Sequence, residues 1–523
     1  MPPTRTSPDA AARPRGGFRG RGGVPTAWAA RFEAAAAADG LSPAVPGPSS
    51  PPGVAAPAAT LDERFGVVAV AFLVWASVIL VALAQSFTAP KYRQFITDEV
   101  PLSRLASLTN SGVSGLLLVL LIVLAVRRLP HLPNDRYGAL LALLLPWFWQ
   151  VGRDQFVGTH LKTGGLVYPL LVFVFWALRP PVRHLAFLGY LVAFTAVVSI
   201  AMGLLTPSRG ILLHVAGDAV TPDKQILPWG ILIGPLSDGN PLGQFLALGA
   251  PAVLLIPRRW VRLLGLAAVA FAVLWTSNRS SLIALFVGAA LVLALRRLPS
   301  PPRRYLVATA VGACLVLMAY LPFTVASDGE FTNRGYIWRM SLEHWREHVW
   351  TGLGSQWYSR SAQYADAIGS TAYHGHNQVV QALVLGGVIN AVLLLFMVVT
   401  LTRVAARWAA EYRVWTPAAL MIMVVISSCF EVTMSIVKLS ALLPVVLLPM
   451  IWFTFGSAGE DERTDERSPG RGRTTGPPAP WLASPTWVVE QRTGGADGPD
   501  VTDEDLWEDG GWRANSARRV GAR

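Results

Sequence analysis

The sequence predicts an all-α polytopic membrane protein, and three observations carry that prediction. Of the 523 residues 52% are hydrophobic and only 15% charged, with a mean hydropathy of +0.43. Soluble domains carry about 25% charged residues, so an ordinary soluble enzyme is excluded. The apolar residues also fall in long blocks separated by short Arg-rich breaks, the pattern of membrane spans. Finally, arginine is distributed unequally between alternate breaks, as the positive-inside rule requires.

Residues 1–64 are rich in Ala, Pro, Gly and Arg ("ARPRGGFRGRGG", "SPAVPGPSSPPG") and lack apolar periodicity, so a disordered cytoplasmic tail is expected. No signal peptide is expected, because the first apolar run starts too far along the chain. Residues 65–457 form the membrane domain. About twelve helices are read there, centred on 66–85, 106–126, 137–151, 163–178, 185–205, 240–257, 263–276, 281–295, 305–325, 377–401, 414–431 and 439–457. Residues 458–523 read as a second disordered cytoplasmic tail, acidic at "DGPDVTDEDLWEDGGW".

With both tails inside, the internal loops are 127–138, 179–184, 258–262, 296–304 and 402–413. Basic residues make up about a third of them, against about a tenth of the opposite loops. The outer face then receives 86–105, 206–239 and a large external loop, 326–376, between helices 9 and 10. Loops of that length are usually functional or disordered, and the Trp, Tyr, Arg and His spread through the last one argue for function. Six of the eight histidines (His160, His214, His344, His348, His374 and His376) fall on this side.

Lys+Arg 44 against Asp+Glu 32 gives a net charge of +12. Most of these basic residues punctuate spans, so the charge implies a bilayer and not a nucleic acid partner. Neither GxxxxGK[ST] nor a post-strand GxGxxG occurs, which argues against nucleotide hydrolysis. Cys314 and Cys429 both lie in apolar runs and define no disulfide framework.

Several residues stand where chemistry is possible. Arg279, in "WTSNRSSLIAL", is an arginine at an outer turn between apolar helices. Charge at membrane depth marks function by default, although an interfacial arginine can also snorkel. Arg334 and Arg339, in "NRGYIWRMSLEHW", are either solvated loop residues or a phosphate-binding pair. His374, His376 and Asn377, in "YHGHNQVVQ", stand at the mouth of the tenth span. There a histidine serves as a base, an orienter or a ligand, or the two form an interfacial pair. The "HWREH" run, with His344, Glu347 and His348, matches a zinc-peptidase spacing, but no third ligand is identifiable. Asp98-Glu99 is a candidate acid pair in the first outer loop.

Together these segments resemble the O-antigen ligase/polymerase superfamily, over about residues 230–400. "GPLSDGNPLGQFLAL", "SNRSSLIAL", "NRGYIWRMSLEHW…TGLGSQWY" and "HGHNQVVQALVLGGVIN" follow that family's order and spacing. The resemblance implies a metal-independent glycosyltransferase-like enzyme of a bacterial cytoplasmic membrane, without cofactor. It would transfer an undecaprenyl-diphosphate-linked glycan, from outside the membrane, to a glycan or lipid-linked acceptor. It carries the family's two arginines onto Arg279 and Arg334 and its histidine onto His376. His374, Arg339 and Asn377 are left as substrate-binding candidates, and the choice between His374 and His376 stays open. The alternatives are a lipid-linked-glycan flippase, or a metal-dependent polyprenyl-phosphate-sugar glycosyltransferase using Asp98-Glu99.

Overall fold

The computed structural model describes residues 61–88, 102–212, 225–236, 238–325, 327, 330–358 and 374–458. Most of both expected tails, Asp98, Glu99, His214 and residues 359–373 of the long loop lie outside the described residues. The described residues are mostly helical, the longer helices being α1 (Leu61–Thr88), α2 (Arg104–Arg128), α3 (Tyr137–Phe156), α4 (Val167–Leu178), α5 (Ala186–Leu205), α6 (Gly239–Val253), α7 (Arg259–Trp275), α8 (Arg279–Arg297), α9 (Ser300–Thr324), α10 (Glu330–Trp345), α11 (Gln378–Glu411), α12 (Thr416–Ser428) and α13 (Leu447–Phe455). The one sheet among the described residues is a pair of two-residue antiparallel strands, β1 (Ile211–Leu212) and β2 (Ile231–Leu232). The first helix begins at Leu61, slightly inside the stretch assigned to the tail.

A helix stands at each of the twelve expected places. Six helical stretches among the described residues are long and apolar enough to cross a membrane, those built on α1, α2, α5, α8, α9 and α11. Of the others, α3 has 20 residues but carries Gln150, Arg153, Asp154 and Gln155 toward its end, while α6 and α12 stop after 15 and 13 residues. Side-chain caps start several of them. Ser103, Asp238 and Asn278 accept the backbone N–H of Ala106, Asn240 and Ser281. Arg127, Arg128, Arg296 and Arg297 close α2 and α8, where cations suit the negative helix end.

Burial separates centre from rim. All but one residue of α12 is buried, against α6, α8, α9 and α11. On α2, by contrast, Leu105, Leu108, Leu116, Val119 and Val126 are exposed, an apolar face suited to lipid. Four of the five loops expected inside meet at one end of the bundle. Arg304 pairs with Glu411 at 2.6 Å, and Ser300 Oγ donates to Ala410 O at 2.9 Å. Arg179 pairs with Asp135, Arg136 Nη1 donates to Thr454 O at 3.0 Å, and Trp452 Nε1 donates to Pro181 O at 3.3 Å.

At the other end α11 is opened. In a continuous helix the N–H groups of Val388 and Ile389 would bond the carbonyls of Val384 and Leu385. Here Gly387 adopts φ +70°, and residues 349–354 insert across the gap. Leu353 N and Gly354 N donate to Val384 O (2.7 Å) and Leu385 O (3.0 Å), while Val388 N and Ile389 N donate to Val349 O (2.9 Å) and Trp350 O (3.4 Å). All four groups freed by the opening are thereby satisfied. From α3, Trp149 Nε1 donates to Gly386 O (2.7 Å), and Arg153 donates to Thr351 O (3.0 Å) and Gly352 O (2.7 Å).

This seam leaves no room for side chains. Gly352 has φ +65°, and a Cβ there would lie 2.6 Å from Gly386 N and Gly387 N; one at Gly387 would overlap Trp350 O. Gly352→Ala and Gly387→Ala should therefore each destabilise the fold by at least about 1–3 kcal/mol, the scale of backbone strain alone. Gly312→Ala, which opens onto empty space, should not. Thermal unfolding in nanodiscs checks this; equal midpoints for all three would refute it.

Candidate functional site

The site begins at the N-terminus of α11. Asn377 caps that helix, its Oδ1 accepting Val379 N (2.8 Å) and Val380 N (3.2 Å). Its Nδ2 donates to Met318 O of α9 (3.0 Å) and to Cys429 O (3.1 Å). Gln378 grips the same outgoing segment: its Oε1 accepts Thr433 N (3.1 Å) and Met434 N (3.0 Å), and its Nε2 donates to Met434 O (3.1 Å). Two buried amides thus fix residues 429–434, which leave α12 without continuing it as a helix.

That segment carries Glu431, only 5% exposed. Its Oε1 pairs with Arg334 Nη2 from α10. Its Oε2 lies 3.2 Å from His376 Nδ1 and 3.7 Å from His374 Nε2. The imidazoles lie with centroids 4.0 Å apart and planes tilted by 50°, and His376 has the uncommon left-handed φ of +45°. The backbone N–H of His376 donates to His374 Nδ1 at 3.1 Å. A neutral His374 therefore holds its proton on Nε2, toward Glu431. The contact of His376 with the carboxylate assigns its proton to Nδ1 by the same reasoning.

Electrostatics follow the geometry. Burial pushes the His374 imidazole well below its usual value, and the neighbouring His376 adds to this while Glu431 opposes it. Burial alone would raise the Glu431 carboxyl. The hydrogen bond and charge of His376, with the charges of Arg334 and His374, outweigh it and hold the group down at about 2. Near neutral pH Glu431 is an anion and His374 is neutral.

Arg334, His374, His376 and Asn377 are therefore gathered into one place. Arg279 is exposed in the first turn of α8. It does share that end of the bundle. Arg303 Nε donates to Leu295 O near the end of α8, while the Arg303 guanidinium lies 4.8 Å over Trp415, just before α12. Midway, Gly288 faces Met423. The helices are thus antiparallel, and Arg279 lies toward the end of α12 that leads to Glu431. Arg339 is exposed on α10, five residues and about 140° around the helix from Arg334.

The "HWREH" run gathers no metal-binding set. The α-helix ends at Trp345 and gives way to a 3-10 turn over Arg346–His348, so His344 and His348 do not share one α-helical face. His344 instead bonds Met340 O and packs on Trp357. Among the described residues, one group of His, Cys, Asp and Glu could hold a metal: His374, His376 and Glu431, with donor atoms within 4.8 Å. Arg334 already neutralises that carboxylate, and the His376 N–H occupies one nitrogen of His374.

Glu431 was not among the candidates read from sequence. It was absorbed into the span at 414–431, although a lone acid in "ISSCFEVTM" is itself a signal, because charge at that depth must find a partner. No curated protein matches the chain. Residues 264–395 match the family model of O-antigen ligases, a stretch that includes Arg279, Arg334, Arg339, His374, His376 and Asn377 and stops short of Glu431. Over that stretch the chain is similar to the O-antigen ligases, and its resemblance to the O-antigen ligase/polymerase superfamily holds.

Proposed function

We propose that the protein is a membrane glycan polymerase or ligase that transfers an undecaprenyl-diphosphate-linked oligosaccharide to an acceptor sugar hydroxyl. The reaction is placed on the outer face of a bacterial cytoplasmic membrane, with both termini inside. The observation that carries this reading is the convergence of Arg334 and His376 on one buried carboxylate, beside a segment that matches the O-antigen ligase family.

In the proposed reaction the acceptor oxygen attacks the anomeric carbon of the donor. A new C–O bond forms, the bond to the diphosphate oxygen breaks, and its electron pair leaves with the lipid diphosphate. The acceptor proton passes to His376. Because Nδ1 faces Glu431, that proton is taken up at Nε2, and the carboxylate stabilises the resulting imidazolium. Negative charge growing on the diphosphate is met by guanidinium groups, whose planar fork suits phosphate oxygens. Arg334 spends one nitrogen on Glu431 and has further N–H donors to offer. Arg279, exposed at the same end, supplies the second. Fixed cations of this kind stabilise the leaving group without a metal ion. In this reading Asn377 positions the histidines, and His374 supports the carboxylate.

Arg279→Ala, Arg334→Ala and His376→Ala should each lower transfer by about tenfold to a thousandfold. Lysine at either arginine should restore it only in part, and His344→Ala and His348→Ala should cost far less. Glu431→Gln should be as damaging as His376→Ala, with no further loss when the two are combined, and Glu431→Asp should recover part of the activity. Additive losses would mean that Glu431 acts on the fold and not through His376. Chelation by EDTA should leave transfer unchanged; a loss restored by zinc would put a metal on His374, His376 and Glu431. Reporter fusions at residues 130 and 300 should read inside and one at 365 outside, and the reverse pattern would overturn the topology.

A further inference from the structure

A cavity of about 630 Å³ lies between α2, α3, the first turns of α11 and residues 432–439. That is within the roughly 300–1,000 Å³ typical of small-molecule sites. Its wall is continuous with the Glu431 cluster. Gln378 and Gln381, in the first turns of α11, lie two and five residues after His376, and Val432, Met434 and Ser435 follow Glu431. The two segments that hold the imidazole and the carboxylate therefore also form one side of the cavity.

The opposite side is unusual for its helix. α2 lies in a stretch long and apolar enough to cross a membrane, yet Asn110, Ser111 and Ser114 line the cavity at the i, i+1, i+4 spacing of one helical face. Polar groups turned to lipid are costly, so such a face belongs against a wet, ligand-sized space. Gln150 and Gln381 complete the hydrogen-bonding rim. Each spends one half of its amide inside the protein: Gln150 donates to Asn390 Oδ1 at 3.0 Å, and Gln381 accepts Gly375 N–H at 2.8 Å. The other half of each amide remains to meet a guest.

The lining also selects among guests. Hydroxyls and amides offer donors and acceptors together, matching sugar hydroxyls, which are both. Among the described residues no arginine lines the cavity; the cations there are Lys162, Lys438 and, if protonated, His160. The one acid among the described lining residues, Asp154, is engaged with Ser355, accepting the backbone N–H at 2.7 Å and the hydroxyl at 2.6 Å. A diphosphate is better matched on the arginine side of the cluster. We propose that this cavity is the acceptor subsite and takes an uncharged, hydroxyl-rich sugar chain. This rests on the transfer reading above.

The test uses membranes of the native host lacking the chromosomal gene and carrying the full-length variant. The acceptor is glycan released from the host's own envelope by mild acid. Asn110→Leu and Ser114→Leu add apolar bulk on a helix that is already apolar, and Ser114→Ala removes only a hydroxyl. The leucine variants should raise the acceptor KM by about tenfold or more, the scale of a lost hydrogen bond with its partner stranded. Ser114→Ala should do so by a smaller factor, with kcat, donor KM and thermal midpoint unchanged. An unchanged acceptor KM, or a rise in donor KM instead, would overturn the assignment. Arg334→Ala measured alongside separates the two claims: if it keeps full transfer, the function itself is wrong whatever the cavity variants do.

Discussion

An ionised carboxylate at 5% exposure is the constraint around which this end of the protein is built. Burying a charge is tolerated only when it is paired and hydrogen-bonded, and Glu431 draws its partners from separate parts of the chain. Arg334 comes from α10, and His374 and His376 come from the approach to α11. The requirement explains local oddities that would otherwise look like defects. α12 stops at Ser428 so that its chain can turn toward Asn377 and Gln378. His376 accepts a left-handed backbone so that its N–H meets one histidine while its ring meets the acid. Removing one partner of such a pair typically costs more than the pair itself contributes, so the cluster stands or falls together.

The second constraint is the exchange of hydrogen bonds at the opening of α11. A helix interrupted in an apolar surrounding must have its stranded carbonyls and N–H groups satisfied by protein. Residues 349–354 do this bond for bond, and α3 locks the insertion with Trp149 and Arg153. The chain after α10 is thereby fixed to the same helix that follows His376. The glycines on both sides of the seam are there because the two backbones touch.

Much of this was legible in the sequence. The helix positions followed from apolar blocks, and the Arg-rich breaks foretold which loops would meet at one end; Arg304 with Glu411 and Arg136 with Thr454 realise that contact. Arg334, His374, His376 and Asn377 were readable because polar and aromatic residues are conspicuous beside an apolar run. Span length was less legible, since early termination leaves helices such as α6 and α12 short of a full crossing. Glu431 was hidden because hydropathy averages a single acid into its neighbours. The opening at Gly386–Gly387 was hidden for a different reason. A glycine pair inside an apolar run is equally consistent with a continuous helix, and only the complementary Gly352, distant in sequence, gives the pair its meaning.

The two constraints act on one short lever. The opening at Gly387 lies ten residues beyond the cap at Asn377, about 15 Å of helix. Its upper end is tied to α9 and to the Glu431 segment, and its lower end to α3 and residues 349–354. Chemistry that depends on hydrogen bonds near 3 Å needs side chains held to a fraction of an ångström, and loops alone do not achieve this. Here the histidines lie on a loop in sequence but are clamped by a helix held at both ends. Gln381, one turn into that lever, bonds Gly375 between the two histidines and also lines the neighbouring cavity. Gln378, which also lines the cavity, bonds Thr433 and Met434 beyond Glu431, so two side chains of this lever join the cavity wall to the backbone segments that carry the imidazoles and the carboxylate.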